Sequence, residues 1–200
     1  MGRRSDHTRD ELRDLIIAEG HGLLAETGLA RFSGREVAKR AGYTIGTIYN
    51  VFGSLDRLLV TLNSHTFRLW AEFLEQRLTD SGPDRIRALV GAYFAFARDH
   101  THLWAAIYEH RASADLFHAT DHANRAMLTA IVDREVRAAL PGAHGLDMPR
   151  FVRSLIATVH GHCSYALGGT FTLLEEVDPA DSALARVREC LAAHGYRQPD

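Results

Sequence analysis

Leu12, Leu15, Ile16, Leu23 and Leu24 recur at helical spacing and predict an amphipathic helix over residues 10–27. Gly28 follows as its stop. Ser33-Gly34-Arg35-Glu36 reads as a capping box that opens a second, short helix: the Ser hydroxyl accepts from a backbone N–H and Glu36 reaches back. Val37, Ala38 and Ala41 supply its small apolar face, and Gly42 ends it where the chain takes a positive φ. A third helix runs over residues 44–52, with Ile48 and Phe52 pointing inward at i and i+4. Gly53-Ser54 closes it, with Ser54 as the N-cap of the next helix.

Longer helices follow. Leu58, Leu62, Leu69, Phe73 and Leu78 mark one over residues 55–78. Ser81-Gly82-Pro83 is the clearest break, with Pro83 at the next first helical position. Further helices are predicted over 83–99, 101–111, 114–140, 148–168 and 180–194. Pro141-Gly142, Met148-Pro149, Gly168-Gly169 and Asp178-Pro179 punctuate them. No strand pattern and no internal repeat compete with this reading. The expectation is an all-α protein of about nine helices, with a three-helix head over residues 1–53 and a helical bundle over 54–200.

Composition supports a packed chain, since 46% of residues are hydrophobic and only five are proline. The net charge of −2 excludes a uniformly basic nucleic-acid binder. Its distribution changes that picture. Residues 31–57 carry Arg31, Arg35, Lys39, Arg40 and Arg57 against Glu36 and Asp56, a local excess of three positive charges. The tail adds Arg3, Arg4 and Arg9 against Asp6. A DNA-facing end on an otherwise acidic body has this pattern. Two cysteines, Cys163 and Cys190, make no disulfide framework, so a reducing compartment is expected. No signal peptide and no membrane-length apolar run is visible, and a soluble, cytoplasmic protein is the expectation.

Two short helices joined by a Gly-containing turn beside basic residues form a helix-turn-helix, whose second helix fits the major groove. The third helix here offers Thr44, Ile45, Thr47, Tyr49 and Asn50, hydrogen-bonding or apolar but uncharged; Thr44 and Gly46 leave its N-terminal amides open to phosphate. The Asn50 amide suits the N6 and N7 edge of adenine, while Arg35 and Arg40 are placed for the backbone.

The run Ser33 to Phe52, with Gly46-Thr47-Ile48-Tyr49 in its recognition helix and Leu58-Leu59 in the helix beyond, resembles the TetR-family signature over about residues 10–62. Tyr93 to His100, Leu103-Trp104 and Val159-His160-Gly161 resemble a subgroup named for a Trp-His-Gly motif, with Val159 in place of the Trp. Two further departures are Val51, where the family often has His, and Leu55, where it often has Lys. Both positions usually meet phosphate, so Arg35, Arg40, Arg57 and the tail are expected to compensate. The resemblance implies a homodimeric, ligand-responsive repressor of a palindromic operator. It further implies a dimer built on the last two long helices, whose apolar stripes are Leu155, Ile156 and Val159, and Leu184, Val187 and Leu191. A small apolar or aromatic effector is expected in the second domain. Trp70, Phe73, Trp104, Tyr108, Phe117, His160 and Tyr165 are the candidates to line its pocket.

Particular residues offer parts of other chemistries. His118 and His122 share a helical face at zinc-binding spacing, but no Cys or Glu completes a set, so no metal is expected. His160 and Cys163, at i and i+3, are the minimum of a thiol nucleophile, but they lack an orienting acid and an oxyanion donor. A helical adaptor that binds only protein is a third class. The sequence calls for no cofactor and no catalytic residue.

Overall fold

A computed structural model describes residues 7–199, so Arg3, Arg4 and Asp6 of the basic tail lie outside the described residues. Ten α-helices and two short 3₁₀ turns make up the regular structure, with no strand among the described residues. The helices are α1 (Arg9–Thr27), α2 (Gly34–Arg40), α3 (Ile45–Phe52), α4 (Leu55–Thr79) and α5 (Arg85–Asp99). They continue with α6 (Thr101–Glu109), α7 (Ala119–Ala139), α8 (Met148–Leu167), α9 (Thr170–Leu173) and α10 (Pro179–Ala192). Nine of them match the periodic segments of the sequence; the four-residue α9 is additional.

The helix ends show where local chemistry decides. Thr8 and Glu11 form a reciprocal capping box at the start of α1, where none was expected. Ser33 does precede α2, but its side chain makes no capping bond. Glu36 turns along the helix toward Lys39 Nζ and Arg40 Nε, both at 3.8 Å, instead of reaching back. Pro83 stands outside α5, and Asp84 caps that helix by accepting from the Arg87 N–H at 3.1 Å. The expected helix 114–140 is split: Ala114–Leu116 is a 3₁₀ turn, and α7 starts where Asp121 reaches back to the His118 N–H at 2.8 Å. Asp147 and Asp178 cap α8 and α10, with a proline in each first turn.

The chain divides into two compact units. The first comprises the described residues up to Thr66 together with His100–Asn124; the second comprises Phe67–Asp99 and the residues from Arg125 on. In the first, Ile16, Leu23 and Leu24 of α1 meet Val37 and Ala38 of α2, and Ile48 and Phe52 of α3. Leu58 and Leu62 of α4 and Leu103 and Ala106 of α6 complete that core. Gly20 allows the closest approach: a Cβ there would stand 3.1 Å from Leu62 Cδ1.

In the second unit, α8 packs on α10 and both pack on α5. Leu155, Val159, Leu184, Val187 and Leu191 are all buried within this one chain, and Ile156 is half-buried. The apolar stripes expected to form a dimer contact are therefore intrachain core. Glu135 is also buried here, held by Arg85 Nε at 2.5 Å and Arg85 Nη2 at 3.0 Å, and by Arg134 Nε at 2.9 Å. Hydrogen bonds from Arg85 hold its carboxyl below the usual carboxylate range against the opposing effect of burial. Because the folded value is the lower one, this contribution to stability is present above the unfolded value of about 4.3 and is lost as pH falls through the folded value. Thermal unfolding between pH 7 and 3 should show a shallower acid loss for Glu135→Gln than for the wild type; parallel curves would contradict the assignment.

Candidate functional site

The turn between α2 and α3 is fixed by backbone bonds. Tyr43 N–H donates to Ala38 O at 2.8 Å and Gly42 N–H to Lys39 O at 3.1 Å, with Gly42 at φ 79°. This is a Schellman-type ending that reverses the chain in two residues. A close approach brings α2 against the next elements: a Cβ on Gly34 would lie 2.9 Å from Leu55 Cδ1 and 3.2 Å from Ile45 Cδ1. With Ile48 and Phe52 buried, α3 turns Thr44, Gly46, Tyr49 and Asn50 outward, with Thr47 half-buried beside them. Tyr49 is half exposed on that face. Ile45, expected on the same outer face, is half-buried against the core.

The basic residues take different roles. Arg35 and Lys39 are exposed, and the Lys39 side chain is 80% accessible. Arg40, expected to reach a phosphate, places its fork on Glu26 of α1 instead, with bonds of 2.9 and 2.7 Å. That bidentate bond raises the guanidinium's affinity for its proton and lowers that of Glu26. Arg57, also expected to compensate for missing phosphate contacts, is buried beside Asp121 at 3.0 Å. Lys39, counted in the local positive charge but not among the expected DNA contacts, is the second exposed basic residue of α2 beside Arg35.

The expected pocket residues fall into both units. In the first, Trp104 is buried with Tyr108 beside it at 5.1 Å between ring centroids, and Phe117 lies 5.9 Å from His122. In the second, Trp70 is fully buried, stacked on Phe96 at 4.9 Å and met edge-on by Tyr93 at 4.8 Å. Phe73 joins Phe96 at 5.6 Å. The Tyr93 hydroxyl lies 3.0 Å from His160 Nδ1, so Tyr93 brings Trp70 and His160 into one cluster. Burial makes the His160 ring harder to protonate. Tyr165 is half exposed against Phe171. Tyr93 and Phe96 belong to the Tyr93–His100 motif and are absent from the expected pocket set; their i, i+3 spacing on α5 puts them on one face.

Two concavities lie within the second unit near these residues. One of about 40 Å³ is apolar and lined by Tyr93, Val136, Leu155 and Val159 among others. It is far below the ~300–1,000 Å³ of an ordinary ligand pocket. The other, about 610 Å³, is an open groove between the second half of α4 and α7, floored by Ala71, Met127, Ala130 and Ile131.

The remaining chemistries lose their residues to other work. His118 accepts at Nδ1 from Arg57, and no cluster of three or more His, Cys, Asp or Glu side chains able to hold a metal occurs among the described residues. Cys163 is buried and its thiol is pushed up to about 12, which keeps the nucleophilic thiolate scarce. No helix among the described residues is long and apolar enough to cross a membrane.

Residues 16–62 match bacterial regulatory proteins of the tetR family, and residues 86–191 match the tetracyclin repressor-like C-terminal domain. Similar solved structures include a protein of unknown function from Rhodococcus sp. RHA1, 23% identical, with a TM-score of 0.72 over 97% of this chain and 99% of that one. RolR in complex with resorcinol is 18% identical, with a TM-score of 0.66 over 96% and 97% of the two chains. The transcriptional regulator FadR from Bacillus subtilis, in complex with stearoyl-CoA, is 16% identical, with a TM-score of 0.63 over 91% and 98%. No curated protein matches significantly.

The thiol assignment is directly measurable. In Cys190→Ser at pH 8, the remaining Cys163 should resist a soluble thiol reagent until the chain is unfolded; rapid labelling of the native protein would contradict it.

Proposed function

This chain belongs to the tetR family of bacterial regulatory proteins, which are ligand-responsive DNA-binding transcription regulators, and on that premise we propose that it is a repressor acting as a homodimer on a palindromic operator. Residues 1–53 read DNA, and 54–200 hold the effector and the dimer contact. The observation that carries this reading is the outer face of α3. Thr44, Thr47, Tyr49 and Asn50 can all hydrogen-bond to DNA, and none is charged, while Ile48 and Phe52 anchor the helix behind them. Backbone amides at the start of α3 and the exposed Arg35 and Lys39 suit phosphates, and Asn50 suits adenine.

The dimer contact is assigned to the outer surfaces of α8 to α10, since their inner stripe is occupied. Tyr165, Leu167, Leu173, Leu174 and Val177 are exposed there, large apolar side chains that a second subunit would cover. Two-fold pairing through such a patch matches a palindromic site. The effector is a small apolar or aromatic molecule, a reading supported by the resorcinol bound to RolR. Its site is assigned to Trp70, Phe73, Tyr93 and His160, which combine apolar rings with one hydroxyl–imidazole pair. Tyr165, in the same unit, is a further candidate for that site, whereas Trp104, Tyr108 and Phe117 lie in the first unit. The reaction implied is binding alone, and localisation with the chromosome in the cytoplasm follows from the role.

Selection of operators from random duplexes tests the reading as a whole: enrichment of a palindrome is expected, and failure to enrich any sequence would sink it. On the selected duplex, Asn50→Ala should cost roughly 1–3 kcal/mol and relax preference at one position per half-site. Lys39→Ala should flatten the dependence of affinity on salt by about one unit per contact. Arg40→Ala should leave that slope unchanged and lower thermal stability, because its partner is Glu26. Light scattering at micromolar concentration should give a dimer that Leu173→Asp weakens; a wild-type monomer would count against the pairing. In Trp104→Phe, the emission of Trp70 should respond to any small molecule that releases the operator; an effector that leaves it unmoved would shift the site elsewhere.

A further inference from the structure

Two helices, α4 and α7, run without interruption from the first compact unit into the second. Their first-unit ends are tied to each other by buried polar groups. Arg57 Nη2 lies 3.0 Å from Asp121 Oδ2 and 3.0 Å from His118 Nδ1. Arginine has only donors, so His118 accepts at Nδ1. Asp121 takes a second bond from the His118 N–H at 2.8 Å. Two turns further along α4, on the same face, Ser64 accepts from Asn124 Nδ2 at 2.9 Å. Arg57 and Asp121 are both more than nine-tenths buried.

The backbone of Arg57 belongs to the N-terminal cap of α4, which follows directly on the end of α3. The Arg57 backbone N–H donates at 3.0 Å to the Oγ of Ser54, the residue that follows Gly53 at the end of α3. The neighbouring face of α4 meets α6 in the same polar fashion. Asp56 Oδ1 lies 3.3 Å from His110 Nε2, and Asn63 Nδ2 donates to Ala106 O at 3.2 Å. The contact between the start of α4 and residues 106–124 thus includes a row of directional bonds as well as apolar packing. A bonded row of this kind has a defined register, and it transmits displacement until a bond breaks.

We propose that Arg57 is a positioning residue for DNA recognition: through its buried ion pair with Asp121 and its bond to His118, it locks the start of α7 to the end of α3. This rests on the reading of the chain as a DNA-binding regulator and replaces the phosphate role expected of Arg57. Movement of α7 in the second unit then reaches the recognition helix through Arg57.

The test compares the full-length wild type with Arg57→Met, Asp121→Asn and the paired replacement Arg57→Met/Asp121→Leu. The last removes both charges, so the fold should be retained even where one unpaired charge would unfold the chain. The DNA probe is the duplex selected by the wild type. Affinity and its salt dependence are measured together with hydrogen exchange in residues 45–52 and 118–124, with and without that duplex. In the wild type, DNA should slow exchange in both segments. Asp121→Asn and the paired variant should bind about tenfold more weakly, a coupling in the range measured for touching residues, with the salt slope unchanged. In the paired variant, protection by DNA should persist in 45–52 and disappear from 118–124. A drop of about one unit in the salt slope for Arg57→Met, with Asp121→Asn unaffected, would make Arg57 a phosphate contact and overturn the proposal. Undiminished protection of 118–124 in the paired variant would overturn it equally. Failure of the wild type to select any duplex removes both this inference and the functional reading, whereas selection followed by either overturning result removes the inference alone.

Discussion

Ile48 and Phe52, buried where α1, α2 and the start of α4 converge, fix which residues α3 presents outward. An eight-residue helix has too few internal hydrogen bonds to persist alone, so its existence depends on that burial. The rotation of the helix depends on it too. With those two side chains inside, Thr44, Gly46, Tyr49 and Asn50 face away from the core by helical geometry alone. The Schellman-type turn at Gly42 and the close approach at Gly34 set its angle to α2. The proposed DNA face is therefore a consequence of core packing, and a surface substitution on α3 can change recognition without changing the fold.

The basic residues of the head divide between two tasks in a way that charge counting does not reveal. Arg35 and Lys39 remain in solvent, while Arg40 and Arg57 hold elements together. An arginine fork matches a carboxylate as well as a phosphate, and within a folded chain the nearer carboxylate takes it. The local positive excess is still present as a field, but fewer of its charges are available for direct contact than the sequence suggests. The same competition appears in the second unit, where Glu135 collects Arg85 and Arg134.

The helical segments, their order and the inward residues of α3 were all legible in the sequence, because each rests on local periodicity, breaks at Gly or Pro, and capping within a few residues. The family signature in residues 33–52 was legible for the same reason: it is a contiguous stretch. Helix ends were less so. The Ser33 box did not form because Glu36 had basic neighbours one turn on, and α7 began five residues late because Asp121 captured the His118 N–H. In both places two local bonds of similar strength competed, and context chose.

Tertiary structure alone decided which apolar stripe is core. Leu155, Val159, Leu184, Val187 and Leu191 have the right period for a helix contact, but a stripe does not say whether the facing helix belongs to the same chain. It decided equally that Arg40 pairs with Glu26, that Tyr93 joins Trp70 to His160, and that Arg57 lies against Asp121, partners 14, 67 and 64 positions apart or less. The sequence by itself determined the all-α class, the helix-turn-helix and its family, since these are written in spacings of three and four. Long-range pairs carry no such spacing. They follow from how the helices pack, and packing is settled by the fit of all the side chains together.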